Sequence, residues 1–183
     1  MKKFVTVFAA FVLMAATQLV AQNPPSGSAD RMNNPSLSAA DRTFMNKACQ
    51  GGIAEVEMGK LAKEHGSNQA VKDFGQRMID DHTKAGDELK QVAQQKGITL
   101  PGEMTAQDKA TYDRLSKLHG AAFDRAYMKD MVTDHRKDVS EFQRESTGAR
   151  DNDVKSFAAK TLPTLQDHLK QAEDTNRKVA GEK

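Results

Sequence analysis

One histidine pattern recurs three times in the sequence: an aliphatic residue, any residue, Asp, His, any residue and Lys. The copies centre on His82, His135 and His168. In the first two copies a methionine stands four residues before the histidine, at Met78 and Met131. Imidazole binds copper, zinc and iron, and a thioether one helical turn away favours copper(I). The repeated pattern therefore indicates metal binding as a candidate chemistry.

The spacing around each histidine is that of an amphipathic helix. Apolar residues recur at steps of three and four, and each histidine occupies one position in such an apolar row. On the first predicted helix Glu55 occupies a core position where an apolar residue is expected. Residues on facing helices can converge in a bundle core. We therefore predict a metal site formed by Glu55, Met78, His82, Met131, His135 and His168.

Copper is the metal favoured by this ligand set, and iron or zinc is a weaker alternative. Di-iron sites in helical bundles place a Glu three residues before each ligating His. This chain has Ile79, Val132 and Leu165 at those positions. The paired methionine and histidine instead suit copper.

A different interpretation makes the histidines structural. They would be buried polar residues satisfied by the preceding aspartates, Asp81, Asp134 and Asp167, with the methionines filling the core. The protein would then be a non-catalytic envelope module that binds a partner or helps the cell surface withstand stress. The sequence has no nucleophile elbow, phosphate loop or paired catalytic carboxylate motif, and it indicates no catalytic residue and no organic cofactor.

The N-terminus is typical of a signal peptide. Lys2 and Lys3 precede the apolar run of residues 4–16, and Ala21 is the expected last residue of the signal. The apolar run is shorter than the roughly 20 residues of a membrane-spanning helix. We expect a periplasmic or secreted protein whose mature part has no transmembrane anchor.

Charge and cysteine content argue against a nucleic-acid-binding protein and against a disulfide-stabilised one. The sequence has 27 basic and 25 acidic residues, and removal of Lys2 and Lys3 with the signal makes the two numbers equal. The mature protein therefore lacks the excess of positive charge that is typical of nucleic-acid binding. The single cysteine, Cys49, excludes an internal disulfide. The sequence leaves the protein partner and the oligomeric state open.

The remaining pattern predicts a leader followed by one helical domain. Residues 22–37 are rich in Pro, Asn and Ser, lack apolar periodicity and are predicted to be disordered. Residues 38–180 are predicted to form an all-α four-helix bundle, with a short extra helix at about 106–118 between the second and third long helices. The long helices are predicted at about 38–64, 68–96, 120–147 and 151–180, and Pro163 is expected to kink or split the last one.

Four segments carry a family resemblance: residues 52–62, 77–82, 123–127 and 162–169. In this order they resemble the exported domain-of-unknown-function family 4142 (DUF4142). The resemblance covers nearly all of the chain after residue 38. It implies a ferritin-like bundle and no established activity.

Overall fold

The computed structural model describes residues 37–181. The predicted signal peptide at residues 1–21 lies outside the described residues, as does the predicted leader up to residue 36. Leu37, at the end of that leader, packs against the core cluster that contains Phe44 and Phe142.

Five helices make up the described chain, and no strand occurs in residues 37–181. The predicted all-α class is therefore confirmed, as is the short helix between the second and third long helices. None of the helices formed by residues 37–181 is both long and apolar enough to cross a membrane. The helices are α1 Ala39–His65, α2 Gln69–Gln95, α3 Ala106–Leu115, α4 Gly120–Gly148 and α5 Asn152–Gly181.

Side-chain caps define where the helices begin. Ser38 Oγ accepts from the backbone N–H of Asp41 at 3.0 Å, and Thr105 and Asp108 form a reciprocal capping box on α3. Gly97 follows α2 with a φ of +65°, a left-handed conformation that favours glycine. These boundaries agree with the predicted ones to within a few residues.

Helix α5 continues through Pro163 without being split. A proline inside a helix leaves the carbonyl four residues earlier without its backbone partner. Pro163 is exposed, so water can reach this turn. The expectation that Pro163 splits the helix is therefore wrong.

The long helices form two antiparallel hairpins, α1–α2 and α4–α5, packed side by side. Lys47 near the start of α1 pairs with Glu141 near the end of α4, so α1 and α4 are antiparallel. Arg77 on α2 bonds to Gln171 on α5, and Glu88 pairs with Lys160, so α2 and α5 are also antiparallel. Helices α2 and α4 therefore run in the same direction.

Because α2 and α4 are parallel, the segment between them must return along the whole bundle. Its beginning lies near the start of α1, where Cys49 Sγ donates to the Pro101 carbonyl at 3.3 Å. Its end lies near the end of α1, where the Leu118 carbonyl is 2.8 Å from His65 Nδ1. This longitudinal crossover carries α3 and gives the bundle its ferritin-like connectivity.

Two buried aspartates connect the hairpins. The Asp41 carboxylate, on α1, accepts from the backbone N–H groups of Arg150 and Asp151 in the α4–α5 turn. The Asp124 carboxylate, on α4, accepts from Ser67 and Asn68 in the α1–α2 turn. Each hairpin therefore supplies the carboxylate that satisfies the turn of the other.

Candidate metal centre

All four long helices contribute a polar side chain to the middle of the bundle. His82 comes from α2, His135 from α4, His168 from α5 and Glu55 from α1, and all four side chains are buried. The seam positions predicted from the sequence thus point inward, as expected.

The three imidazoles converge on one another. One nitrogen of each ring lies within 4.8 Å of the other two, and no other such group of His, Cys, Asp or Glu occurs among residues 37–181. The ring centroids are 5.3–5.9 Å apart. Imidazole nitrogens bind zinc at about 2.0–2.1 Å, so the three rings would have to move closer together to bind one ion.

Hydrogen bonds fix the orientation of two of the rings. His135 donates from Nδ1 to the Met131 carbonyl at 2.9 Å, and His168 donates from Nε2 to Asp81 Oδ2 at 2.7 Å. The lone pairs are therefore on His135 Nε2 and His168 Nδ1. A ligating histidine usually donates its other N–H to a carbonyl or a carboxylate in this way.

The inward nitrogens lack partners. His82 Nε2, His135 Nε2 and His168 Nδ1 are buried and make no hydrogen bond within the described chain. Buried polar atoms in proteins are bonded in roughly 90% of cases, so one unpaired nitrogen on each of three neighbouring rings needs an explanation. A bound cation would supply one.

Asp81 is itself held in position. Arg77 Nε donates to Asp81 Oδ2 at 3.2 Å, and Arg77 also bonds to Gln171 of α5. Partial burial raises the pKa of Asp81, but the hydrogen bonds from His168 and Arg77 outweigh it and leave this pKa below its usual value. Asp81 is therefore ionised and accepts the His168 proton.

Burial keeps the histidines neutral. It lowers the pKa of His82 well below the usual value and that of His135 to about 4, and in both cases neighbouring imidazoles lower it further. Burial also lowers the pKa of His168, although Asp81 opposes this shift. Neutral imidazoles keep the lone pairs that metal binding requires.

Glu55 lies beside the three rings. Its Oε1 is 3.8 Å from His135 Nδ1, while its Oε2 is buried and has no hydrogen-bond partner among the described residues. Glu55 is outside the set of groups that meet within 4.8 Å. Burial, followed by the charges of Asp138 and Asp134, raises the pKa of Glu55 well above its usual range. A neighbouring cation would favour its ionised form.

The two methionines of the predicted site are completely buried. Met78 and Met131 belong to the core cluster that includes Phe74 and Tyr127. The backbone carbonyl of Met131 accepts the His135 bond. Ligation by either sulfur stays a prediction.

A cavity of about 400 Å³ reaches the site. Glu55 and His82 line it from α1 and α2, and Asp108, Asp134 and Asp138 line it from α3 and α4. Burial and neighbouring carboxylates raise the pKa of Asp134 to about 6 and that of Asp138 to about 7. The three-histidine centre is thus bordered by an acidic cavity.

The histidine motifs do not identify every residue near the site, although the apolar row that contains His82 also contains Phe74. Phe74 packs edge-on against His135 and His168, with centroids 6.1 and 6.5 Å apart. Tyr127 stands two turns before His135, and its buried hydroxyl has no hydrogen-bond partner in residues 37–181. The three motif aspartates also differ, because Asp81 binds His168, Asp134 lines the cavity and Asp167 is exposed.

Comparison with known proteins agrees with this architecture. The crystal structure of a DUF305 fragment from Deinococcus radiodurans is similar, with a TM-score of 0.69 and 13% sequence identity, over 79% of this chain and 99% of that chain. At this identity the similarity shows the fold alone. No curated protein matches the chain. The family model described as "Domain of unknown function (DUF4142)" matches residues 26–175. The chain therefore belongs to the DUF4142 family.

Proposed function

We propose that this protein binds a transition metal ion in the bundle core through His82, His135 and His168. Two observations carry the proposal: the three buried histidines each bring a ring nitrogen within 4.8 Å of the other two, and each ring has one buried nitrogen without a hydrogen-bond partner in the described chain. A purely structural role would predict that these nitrogens are bonded. The hydrogen bonds of His135 and His168 instead occupy one nitrogen of each ring and leave the other available to a ligand.

Glu55 completes the proposed site as its carboxylate. Its unpaired Oε2 lies in a medium where a negative charge is costly without a cation nearby. Metal binding should therefore displace the Glu55 proton, and the released proton should appear as a dependence of the binding heat on the ionisation heat of the buffer.

Copper is the metal we propose. Imidazole and carboxylate ligands bind divalent metals in the order that peaks at copper(II), above zinc and iron(II). The sulfurs of Met78 and Met131, one turn before two of the histidines, are proposed to extend this preference to copper(I). We further propose that the site operates in the periplasm or outside the cell, because residues 1–21 have the composition of a signal peptide.

The test is a metal titration of protein carrying no histidine tag. We expect one equivalent of copper to bind to the wild-type protein and none to a variant with both His82→Ala and His135→Ala. The matched control carries His65→Ala and His119→Ala, which removes the stacked pair of histidines at the end of the bundle. This control should keep the stoichiometry of the wild type.

Thermal unfolding separates binding from folding. At a copper concentration 100 times the dissociation constant, the wild type should gain about 2.7 kcal/mol of stability and the His82→Ala, His135→Ala variant should gain none. If the two substitutions lower the stability of the metal-free and copper-treated proteins equally, and no stoichiometric metal binds, the histidines are structural. Met78→Leu and Met131→Leu should weaken copper(I) binding and leave zinc binding unchanged if the sulfurs are ligands.

A further inference from the structure

Three glycines inside helices border the acidic cavity. They are Gly51 and Gly52 on α1 and Gly86 on α2. A Cβ atom on Gly51 or Gly86 would meet nothing within 4 Å, and one on Gly52 would meet only His82 Nδ1, at 3.9 Å. Glycine inside a helix costs about 1 kcal/mol relative to alanine. No close contact explains these glycines, and their effect is to keep the space beside His82 open.

The charged groups around this space are mainly acidic. Five carboxylates line it against two lysines, Lys47 and Lys137. Lys47 pairs with Glu141 at 3.0 Å, and Asp108 is used in the capping box of α3. The three carboxylates left without such a partner are Glu55, Asp134 and Asp138.

Asp134 and Asp138 lie one turn apart on α4, where like charges destabilise a helix. No other described residue forms a hydrogen bond or an ion pair with either carboxylate, and Lys137 only partly offsets their charge. This arrangement favours a bound positive charge.

Glu55, proposed above as the carboxylate of the metal site, also faces this cavity and indicates a ligand there. It is only 3% exposed, it lines the same cavity, and its Oε2 has no hydrogen-bond partner in the described part of the chain. Leaving a buried carboxylate oxygen unbonded costs about 1–3 kcal/mol, and more when it is charged. A donor with a positive charge would satisfy it.

The spacing of these carboxylates decides the kind of cation. In residues 37–181 only the three histidines bring ligand atoms within 4.8 Å of one another. Glu55, Asp134 and Asp138 do not converge to that distance, so their spacing favours a cation with several N–H donors over a bare metal ion. A volume of about 400 Å³ falls in the range of small-molecule sites, and Leu89, Phe142 and Phe157 provide apolar walls.

We propose that this cavity binds a small organic ammonium ion, whose charged nitrogen lies among Asp138, Asp134 and Glu55 and whose hydrocarbon part packs against Leu89, Phe142 and Phe157. Amine binding does not require a metal at the histidines, but the two ligands share Glu55, so copper bound at the histidines should weaken amine binding. Charge-assisted N–H···O bonds supply the affinity, and the apolar walls select an alkyl chain over a hydrated inorganic ion.

The test uses 1,4-diaminobutane and butylamine as probes and 1-butanol as the neutral control. Each is titrated calorimetrically at pH 8 into the whole protein, before and after treatment with EDTA. We expect saturable binding of the two amines in both preparations and none of butanol. Asp138→Asn should weaken amine binding by about tenfold, the effect of losing one charge-assisted bond. Its control is Asp87→Asn, which changes an exposed aspartate on α2 that does not line this cavity.

A steric variant gives a second measurement. Gly86→Leu should fill the cavity and abolish amine binding while the protein keeps its helical circular dichroism, and Gly148→Leu at the exposed end of α4 should bind amines normally. If Gly86→Leu fails to fold, Asp138→Asn decides alone. The proposal is overturned if neither amine binds, if butanol binds as well as the amines, or if Asp138→Asn behaves like Asp87→Asn. Magnesium binding that depends on Asp138, with no amine binding, would also overturn it.

Discussion

At the scale of single residues, the three histidines differ in whether one ring nitrogen donates a hydrogen bond to the protein. His135 donates one ring N–H to a carbonyl and His168 donates one to a carboxylate, and the other nitrogen of each ring is left available to a ligand. His82 has no such hydrogen bond from the described chain, and its Nδ1 faces the space beside Gly52. Its ring is therefore the one whose orientation a ligand can set.

The depressed pKa of His135 makes a prediction about pH and stability. Its folded-state value of about 4 lies below the value of roughly 6.5 in an unfolded chain. As the pH falls from 6.5 to 4, the His135 side chain becomes protonated in the unfolded chain but stays neutral in the folded protein. The free energy of unfolding therefore decreases over this interval. The loss should approach about 3 kcal/mol for this group.

This prediction is checked by urea unfolding of the metal-free protein between pH 7 and pH 4. His135→Gln removes the titrating group, so the variant should be less stable than the wild type at pH 7 and the difference should narrow toward pH 4. A difference that stays constant over this pH range would contradict the assignment of the shift to His135.

The sequence predicted which residues enter the core but not what each would bind. The apolar rows required His82, His135, His168 and Glu55 to face inward, because rotating any of them outward would expose its apolar neighbours. The local motif is the same around each histidine, yet of the three motif aspartates only Asp81 forms a hydrogen bond with a histidine of another helix. That difference depends on the neighbouring helix, and no spacing within one helix encodes it.

At the scale of elements, the α1–α2 pair depends on a close approach of its backbones. A Cβ on Gly59 would lie 2.7 Å from the Gly75 carbonyl oxygen, and a Cβ on Gly75 would lie 2.7 Å from Ala62 Cβ. These distances are shorter than real contacts, so both positions require glycine. The resulting packing sets the distance between the helices that carry Glu55 and His82.

Substitution of two glycines in α2 should therefore have opposite effects. Gly75→Ala should destabilise the protein by about 1–3 kcal/mol, because either α1 or α2 must move. Gly86→Ala should stabilise it by about 0.4–1 kcal/mol, because there is open space and alanine is the better helix former. Denaturant unfolding of both variants measures this, and the same sign for the two would refute the explanation.

Helix boundaries were largely predictable because caps are local signals. Ser38, Thr105 and Gly97 each end or begin a helix as their residue types indicate. Asp41 shows the limit of such signals. Its backbone N–H donates to Ser38 at the start of its own helix, but its carboxylate bonds to the α4–α5 turn. A contact between residues more than a hundred positions apart cannot be predicted from the spacing of residues within one helix.

At the scale of the whole molecule, the crossover decides which helices are neighbours. It makes α2 and α4 parallel, and it places α1 beside α4 and α2 beside α5. The length of the connecting segment permitted this arrangement, but the direction of α4 could not be predicted from it. The ion pairs between helices settle that direction.

Asp124 should be important for stability although it is far from the histidines. Asp124→Ala leaves the backbone N–H groups of Ser67 and Asn68 without their buried acceptor, and the expected loss is about 3 kcal/mol. Differential scanning calorimetry should show a lower unfolding temperature with an unchanged copper stoichiometry. The control, Asp113→Ala on the exposed face of α3, should change the unfolding temperature little.

The reciprocal aspartates also bear on how the chain folds. In an isolated α1–α2 hairpin, the N–H groups of the turn would lack their acceptor, Asp124. In an isolated α4–α5 hairpin, the N–H groups of the turn would lack Asp41. Neither half is complete without the other, so neither should persist as a stable intermediate. Two fragments divided within the crossover should be mostly unstructured when separate and should recover helical structure on mixing, as a one-to-one complex.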